Sequence, residues 1–328
     1  MTQLDEGDFI LFSYEFDGKG GCKPLQGREI DKKIKAKQLA WAHLDANSSQ
    51  TATWLRENVD YLDSIIIDAL LAEETRPRIT FFDKGAMVIL RGMNLQENAE
   101  PEDMISIRLW IDESRIISMR RRPLKAVQDV RDALENGKGP KDAAGFLAFL
   151  AQKLFERMQP ILFDLTDQID DAEESLIEGP TREDRLAVND IRRKALIFKR
   201  YISPQKDVMM ALRNSDQDWI NQTAQRRFQE NQDRLTRYLE DLDSIRERAQ
   251  IIKDEYTTII SDKMNKNTYA LSLIAGIFLP LGFLTGLLGI NVGGMPGVDN
   301  DMAFWIVVGL CVLSGLGFIG LFKLLKWL

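Results

Sequence analysis

The sequence has little of the chemistry on which enzymes and tight metal sites depend. Its 328 residues include one histidine and two cysteines, and no Cys-x-x-Cys pair or His-Glu-x-x-His motif occurs. A nucleophile elbow is absent as well. The single histidine, His43, lies in a strand-like run, where a structural role is the more common one. The sequence therefore predicts no enzyme, no resident cofactor and no tight Cys/His metal site.

The cysteines and the charge balance further restrict the compartment and the kind of partner that are expected for this protein. Cys22 and Cys311 lie far apart in the sequence, so no disulfide framework is predicted and a reducing compartment is expected. The chain has 50 acidic and 43 basic side chains, a net charge of −7. This balance argues against nucleic acid as a partner and suits a protein that attracts cations. The first twelve residues place three acids before a short apolar run, which predicts no export signal.

Two long uncharged runs are the strongest feature of the sequence. Residues 269–290 and 302–322 contain 22 and 21 residues without a formal charge. Each run is long enough to cross roughly 30 Å of hydrocarbon as a helix. We therefore predict two membrane spans at 269–290 and 302–325, joined by a loop at 291–301 that is rich in glycine.

The charges around the spans predict their orientation in the lipid bilayer. Lys263 and Lys266 precede the first span, and Lys323 and Lys326 follow the core of the second. The loop carries acids and no Lys or Arg. The positive-inside rule then predicts that both termini are cytoplasmic and that the loop lies outside.

Small and polar residues form one stripe along the first predicted span. Steps of three and four residues give the stripe Asn265, Thr268, Ser272, Ala275, Leu279, Gly282 and Gly286. Such a stripe is typical of close helix packing. It is also what a pore wall requires, because small side chains leave room for water and ions. The polar residues at its inner end favour the pore.

The end of the first span resembles a known transporter family. Gly289-Ile290-Asn291 is followed by Gly-Gly-Met-Pro-Gly, and a second span leads to a lysine-bearing terminus. This pattern is similar to the CorA-type divalent-cation transporters. Leu288 and Ile290 replace the Tyr and Met of the usual magnesium motif, so the chain is more similar to the zinc-associated ZntB branch. Four stretches extend the resemblance upstream, at 74–78, 107–110, 115–120 and 200–207.

The resemblance implies a funnel-shaped homopentamer in the bacterial inner membrane, with the first span of each chain around the pore. Gly289, Ile290 and Asn291 would form the selectivity filter. The implied substrate is Zn²⁺, with Cd²⁺, Ni²⁺ and Co²⁺ as further candidates and H⁺ as a candidate coupling ion. Proton-driven uptake is expected, while efflux stays open. The alternatives are a CorA-type Mg²⁺, Co²⁺ or Ni²⁺ channel, and a membrane-tethered sensor or scaffold.

The remaining sequence predicts an α+β protein. An α/β domain at 1–122 precedes a helical region at 123–215, in which 142–178 is expected to be one long helix bent at Pro160. Thr181 and Asp184 form a capping-box-like helix start. A last helix is predicted from about Gln217 to Ile290, with Asp216 as its N-cap and 216–268 as a stalk.

The predicted stalk has two opposite faces. An apolar seam repeats every seven residues, at Phe228, Leu235, Leu242, Ala249 and Tyr256. The opposite line carries acids, of which Glu240, Glu247 and Asp254 are the candidates for attracting cations. Charge lines of this kind are often only solvated faces. Continuity with the stripe favours an acidic funnel, and Asp299 and Asp301 would attract cations at the outer mouth.

Overall fold

The computed structural model describes residues 9–26, 29–36, 38–59, 62–73, 75–179, 181–290, 297 and 300–325. The chain divides after Lys253 into two compact units. We refer to them as the N-terminal unit and the C-terminal unit.

The N-terminal unit contains one sheet in its described residues, ordered β2-β1-β3-β7-β6-β5-β4. Its strands are β1 (Ile10–Phe16), β2 (Cys22–Pro24), β3 (Ala40–Asp45), β4 (Arg78–Phe82), β5 (Gly85–Gly92), β6 (Ile105–Asp112) and β7 (Arg115–Arg120). Only the β3–β7 pair is parallel. The sequence did not indicate β2, because three residues are too few to show a period.

Nine helices complete the described part of the chain. They are α1 (Glu29–Lys35), α2 (Ser49–Asn58), α3 (Ser64–Leu71), α4 (Lys125–Glu135), α5 (Ala143–Glu156), α6 (Gln159–Glu178), α7 (Arg182–Arg213), α8 (Gln222–Leu288) and α9 (Ala303–Leu324). The capping box that begins α7 is confirmed, since the Asp184 amide donates to Thr181 Oγ1 at 3.3 Å. The short α1 was not predicted.

The structure corrects the prediction of one long helix over 142–178. The chain forms α5 and α6 instead, with a break at Arg157 and Met158. Pro160 lies in the first turn of α6, where its missing N–H has no partner to lose. The proline thus marks the start of a helix rather than a bend within one.

The start of the last helix was also predicted wrongly. Helix α8 begins at Gln222, and its cap is Asn221, whose Oδ1 accepts from the Ala224 amide at 2.9 Å. The chain before it makes a turn that buries Trp219 and Ile220. Burial of those two side chains outweighs the capping preference of Asp216. At its other end α8 stops at Leu288, where the Gly289 amide donates to the Gly286 carbonyl.

The sheet is covered on both faces. On one face Ala42 and Leu44 of β3 pack against Trp54 and Leu55 of α2. On the other face the Trp41 ring lies 4.8 Å from the Phe146 ring of α5. Strand β3 is therefore buried on both sides, which explains its nearly continuous apolar sequence.

His43 is part of this core. It is fully buried, its ring stacks on Phe12 at 4.8 Å, and Nδ1 lies 2.7 Å from Ser118 Oγ. Burial, reinforced by the positive charges of Arg120 and Arg131, lowers the pKa of His43 to about 3. The imidazole is neutral at physiological pH and packs as a core side chain.

Candidate ion-conduction surface

The C-terminal unit consists of two helices with little buried surface. The apolar segment of α8 and all of α9 are long and apolar enough to cross a membrane, and neither apolar window is buried. Large side chains such as Phe278, Phe283 and Trp305 are 65% exposed or more. A core helix of a soluble protein would bury such residues, so these helices need a lipid environment.

Helices α8 and α9 contact each other through small residues. A Cβ atom placed on Gly276 would lie 3.0 Å from the ring of Phe322, and one on Gly315 would lie 3.9 Å from Leu281. Phe322 is 8% exposed, the most buried side chain of α9. These contacts define one face of α8 as the packing face within the chain.

The small-residue stripe lies on the opposite side of α8. Every member is exposed: Asn265, Thr268, Ser272, Ala275, Leu279, Gly282 and Gly286. A Cβ on Gly282 or Gly286 would meet no atom within 4 Å. Within the described part of one chain, the stripe therefore does not serve for close packing against another helix. The stripe is left for water, lipid or another copy of the chain.

The predicted filter is only partly described. Gly289 and Ile290 are exposed at the end of α8. Asn291 lies outside the described residues, as do Asp299, Lys326 and most of the predicted loop. Asp301 is described and exposed, in the turn that leads into α9.

The N-terminal part of α8 confirms the predicted apolar seam. Phe228, Leu235, Leu242 and Ala249 are at most 1% exposed, and the intervening Ile245 is 2% exposed. Their heptad spacing placed them on one helix face, and the neighbouring helices of the N-terminal unit cover that face. This seam fixes which side of α8 remains open to solvent.

The acidic line occupies the open side. The line includes four exposed acids and one exposed base. The acids are Glu230, Asp233, Glu240 and Glu247, and the base is Arg237. In the C-terminal unit the line continues with Asp254, which is also exposed. Glu240, Glu247 and Asp254 are seven residues apart, which corresponds to about 10 Å along a helix. Two of them in one chain cannot touch the same ion.

Ion pairs connect α8 to the neighbouring helices, and they include the basic residues Arg234 and Arg248. Arg248 donates to Glu173 at 2.7 Å and to Asp170 at 2.5 Å, and these carboxylates raise its pKa. Asp243 accepts two bonds from Lys199. On the acidic side, burial and then the charge of Glu240 raise the pKa of Asp241. The ion pairs of Arg248 and Asp243 join α8 to α6 and α7, and none of them involves Glu240 or Glu247 of the acidic line.

The described residues contain no cluster of three His, Cys, Asp or Glu side chains with metal-binding geometry. Cys22 and Cys311 are free thiols. What one chain presents to a cation is a series of separate carboxylate, hydroxyl and amide oxygens along one helix face. Oxygen ligands of this kind hold divalent cations weakly enough to release them.

Comparison with known proteins assigns the family. The family profile described as CorA-like Mg²⁺ transporter protein matches residues 36–324. The chain belongs to the CorA-like transporter family. Its members are metal-ion transporters, so the chain is a membrane transport protein rather than an enzyme.

Individual relatives resemble the chain over nearly its full length. The divalent cation transporter CmaX of Pseudomonas aeruginosa is 38% identical, covering 96% of this chain and 95% of the relative. The zinc transport protein ZntB of Pectobacterium atrosepticum is 36% identical, covering 97% and 96%. A solved structure of full-length CmaX superposes with a TM-score of 0.84 at 36% identity, covering 98% of this chain and 100% of that one. These findings confirm both the predicted superfamily and the similarity to the ZntB branch.

Sequence reasoning missed the packing face of the CorA-like hairpin. Gly276 and Gly315 were visible as small residues within the two spans, but the sequence could not pair them with Phe322 and Leu281. The stripe was recognised because six of its seven residues are small or polar, whereas the packing face has only isolated contacts.

Proposed function

We propose that this chain is the subunit of a zinc transporter whose pore forms by assembly of identical chains around the exposed stripe of α8. One observation supports this above the others: the small and polar residues face away from α9 and meet open space. One chain cannot enclose a pore with a single stripe, so several copies are required. A homopentamer with the N-terminal unit and both termini in the cytoplasm is the proposed assembly, in a bacterial inner membrane.

Zinc is the proposed substrate because the ZntB relatives are named for it and the oxygen ligands of the stripe and the acidic line are compatible with it. Exposed oxygens spaced along the helix would pass the ion largely hydrated. Cd²⁺, Ni²⁺ and Co²⁺ are proposed as further substrates. A proton gradient is proposed to drive uptake, and His43 has no part in that coupling because it is neutral and buried.

The experiment is a metal-by-metal flux series in proteoliposomes that contain only this protein, with and without an imposed pH gradient. We expect Zn²⁺ uptake that increases when the gradient is directed inward. Flux of Mg²⁺ in preference to Zn²⁺ would favour the second candidate, a CorA-type Mg²⁺, Co²⁺ or Ni²⁺ channel, which the description of the family profile supports. Absence of any flux would favour a tethered sensor or scaffold. A monomeric mass in mild detergent and in bilayer discs would contradict the assembly.

Asn291 is proposed as the filter residue, with Gly289 leaving space for the hydration shell. A ring of neutral amide oxygens would hold a hydrated divalent ion without trapping it. Asp299 and Asp301 are proposed to concentrate cations at the outer mouth.

Asn291→Gly separates this role from a helix-capping role, because glycine can also end a helix but supplies no side-chain oxygen. We expect zinc flux to fall by about tenfold or more while the oligomer still assembles. Flux is measured per oligomer in proteoliposomes. Transport at the parent rate by a normally assembled variant would show that Asn291 only caps the helix.

A further inference from the structure

Arginine is the most frequent residue in the lining of one cavity on the N-terminal unit. Its volume is about 610 Å³, and it lies between the loop before β4, the ends of β5 and β6, the residues after β7, and helix α7. The described lining contains five arginines and two acids: Arg76, Arg91, Arg121, Arg122, Arg200, Glu73 and Asp103. Three of the four upstream stretches that carry the family resemblance supply residues to this cavity or to the wall behind it.

Arg91 holds the walls of the cavity together. Its guanidinium donates to the Thr75 carbonyl at 2.8 and 3.1 Å and to the Met104 carbonyl at 2.7 Å. The same group lies 4.3 Å from the centre of the Tyr201 ring on α7. Hydrogen bonds and the ring contact of Arg91 therefore hold together the segments that form the walls of the cavity.

The positive charge of the cavity is only partly balanced by its described acids. Asp103 is bound by Arg122, and the Glu73 side chain is exposed while its carbonyl accepts from Arg108 at 3.1 Å. Glu74 lies outside the described residues. Arg76 and Arg200 at the rim have no ion pair with any described acid.

Behind the wall lies a buried cation that is incompletely bonded. Arg108 is 0% exposed, and its Nε and Nη1 have no hydrogen-bond partner among the described residues. It is two residues from Ser106 on the same face of β6, and Ser106 lines the cavity. Burial, followed by the charges of Arg121 and Arg91, lowers the pKa of Arg108 to about 10, so the group is still charged at neutral pH. A buried, crowded cation of this kind is stabilised by a nearby anion.

Two further donors beside the cavity are also unsatisfied. Thr75 is 7% exposed and its hydroxyl has no partner among the described residues. Arg121 donates to the Leu71 carbonyl at 3.0 Å, but its buried Nε donates to no described acceptor. Guanidinium forks and a hydroxyl that converge from several elements match the several acceptors of a tetrahedral oxyanion better than a spherical ion.

We propose that this cavity binds a phosphate dianion, either free or as a phosphate monoester. Arg121 and the Thr75 hydroxyl would bind it from the wall, and Arg76 and Arg200 from the rim. The volume is within the range of small-molecule sites, so it admits the organic part of a small monoester as well. The site lies in the N-terminal unit and is independent of the proposed transport pathway. It would make the protein responsive to a phosphate-bearing solute.

The test is calorimetric titration of the full-length protein in detergent, in a chloride-free buffer, with inorganic phosphate and separately with adenosine monophosphate. Arg76→Gln combined with Arg200→Gln removes two exposed rim charges without disturbing the core. We expect saturable binding to the parent and a loss of affinity of about tenfold in this double variant. The matched control is Arg78→Gln with Arg185→Gln, two exposed arginines outside the cavity lining, and its affinity should stay within about twofold.

Thr75→Val provides a second variant that leaves every charge in place and weakens binding through loss of the hydroxyl. Tighter binding of the monophosphate would identify a monoester, and equal binding would identify free phosphate. Absence of saturable binding, equal weakening in the control, or equal affinity for chloride would overturn the proposal. Because the assay measures binding without flux, its failure leaves the proposed transport function untouched.

Discussion

The two units of this chain differ in how completely one copy of the chain buries its own apolar side chains. In the N-terminal unit, side chains distant in sequence such as Trp41, Phe146 and Phe228 are 0% exposed. In the C-terminal unit, apolar residues all around both helices remain exposed, for example Leu271 and Leu313 at 72% and 71%. The first unit is thus completed by its own chain. The second requires lipid and, in the proposed assembly, further copies of the chain, so substitutions there should affect transport before they affect folding.

The largest expected effect concerns the buried seam. Phe228→Ala should lower the free energy of unfolding by about 3–5 kcal/mol, because it removes a fully buried ring and leaves a cavity. Urea titration of the full chain in detergent, followed by fluorescence, measures the change. Glu230→Ala, two residues away on the exposed line, is the control and should stay within about 0.5 kcal/mol. Similar losses in both variants would remove the distinction between the two faces of α8.

The next effect is a pH dependence of the N-terminal unit. Because the folded pKa of His43 is depressed to about 3, the unfolded chain binds a proton near pH 6.5 that the folded chain does not. The contribution of neutral His43 to the free energy of unfolding is complete above pH 6.5 and is lost as the pH falls towards 3. By pH 5 the loss should be about 2 kcal/mol.

His43→Leu should remove this part of the slope between pH 7 and pH 5, since leucine does not titrate. Urea titrations of both proteins at the two pH values measure it. An unchanged slope in the variant would show that other groups cause the acid sensitivity.

In the C-terminal unit, Gly282→Leu should lower zinc flux by about tenfold or more, because each copy would add a bulky side chain to the proposed pore. The folding of the chain should not change, since a Cβ at this position meets open space. Gly309→Leu on α9 is the matched control, because it also meets open space. If Gly282→Leu dissociates the oligomer instead, the stripe is a packing surface between copies rather than a pore wall.

The smallest expected effect belongs to the acidic line. Neutralising Glu240, Glu247 and Asp254 together should reduce flux by about twofold to fivefold at low ionic strength and by less at high salt, because salt screens cation attraction. The control neutralises three exposed acids elsewhere, Glu57, Glu174 and Glu183. Flux assays of both triple variants at two salt concentrations provide the comparison. Unchanged flux would show that the acidic line is only a solvated face of α8.

Features that depend on local spacing could be predicted from the sequence, whereas features that depend on tertiary burial could not. The seam of α8 and the capping box at Thr181 were predicted because each depends on spacing within one helix. The strand β2 was missed because three residues are too few to show a period. The helix break after Glu156 and the N-cap at Asn221 were missed because burial of Met158, Trp219 and Ile220 decided them. Trp219 illustrates the reason: it is buried, and it lines the same pocket as Phe82 and Trp110, which are distant in sequence.

The sequence by itself determined the two apolar segments, the stripe along the first of them, the acidic line and the family. The first three depend on composition and on helical periodicity, and the family resemblance depends on short motifs such as Gly289-Ile290-Asn291. All of these are local properties of the chain. Only the tertiary structure decided which face of α8 packs against α9. It also brought Thr75, Arg91, Arg121 and Arg200 to one cavity from four separate parts of the chain. Charge burial and open space are properties of a three-dimensional arrangement, so no linear pattern contains them.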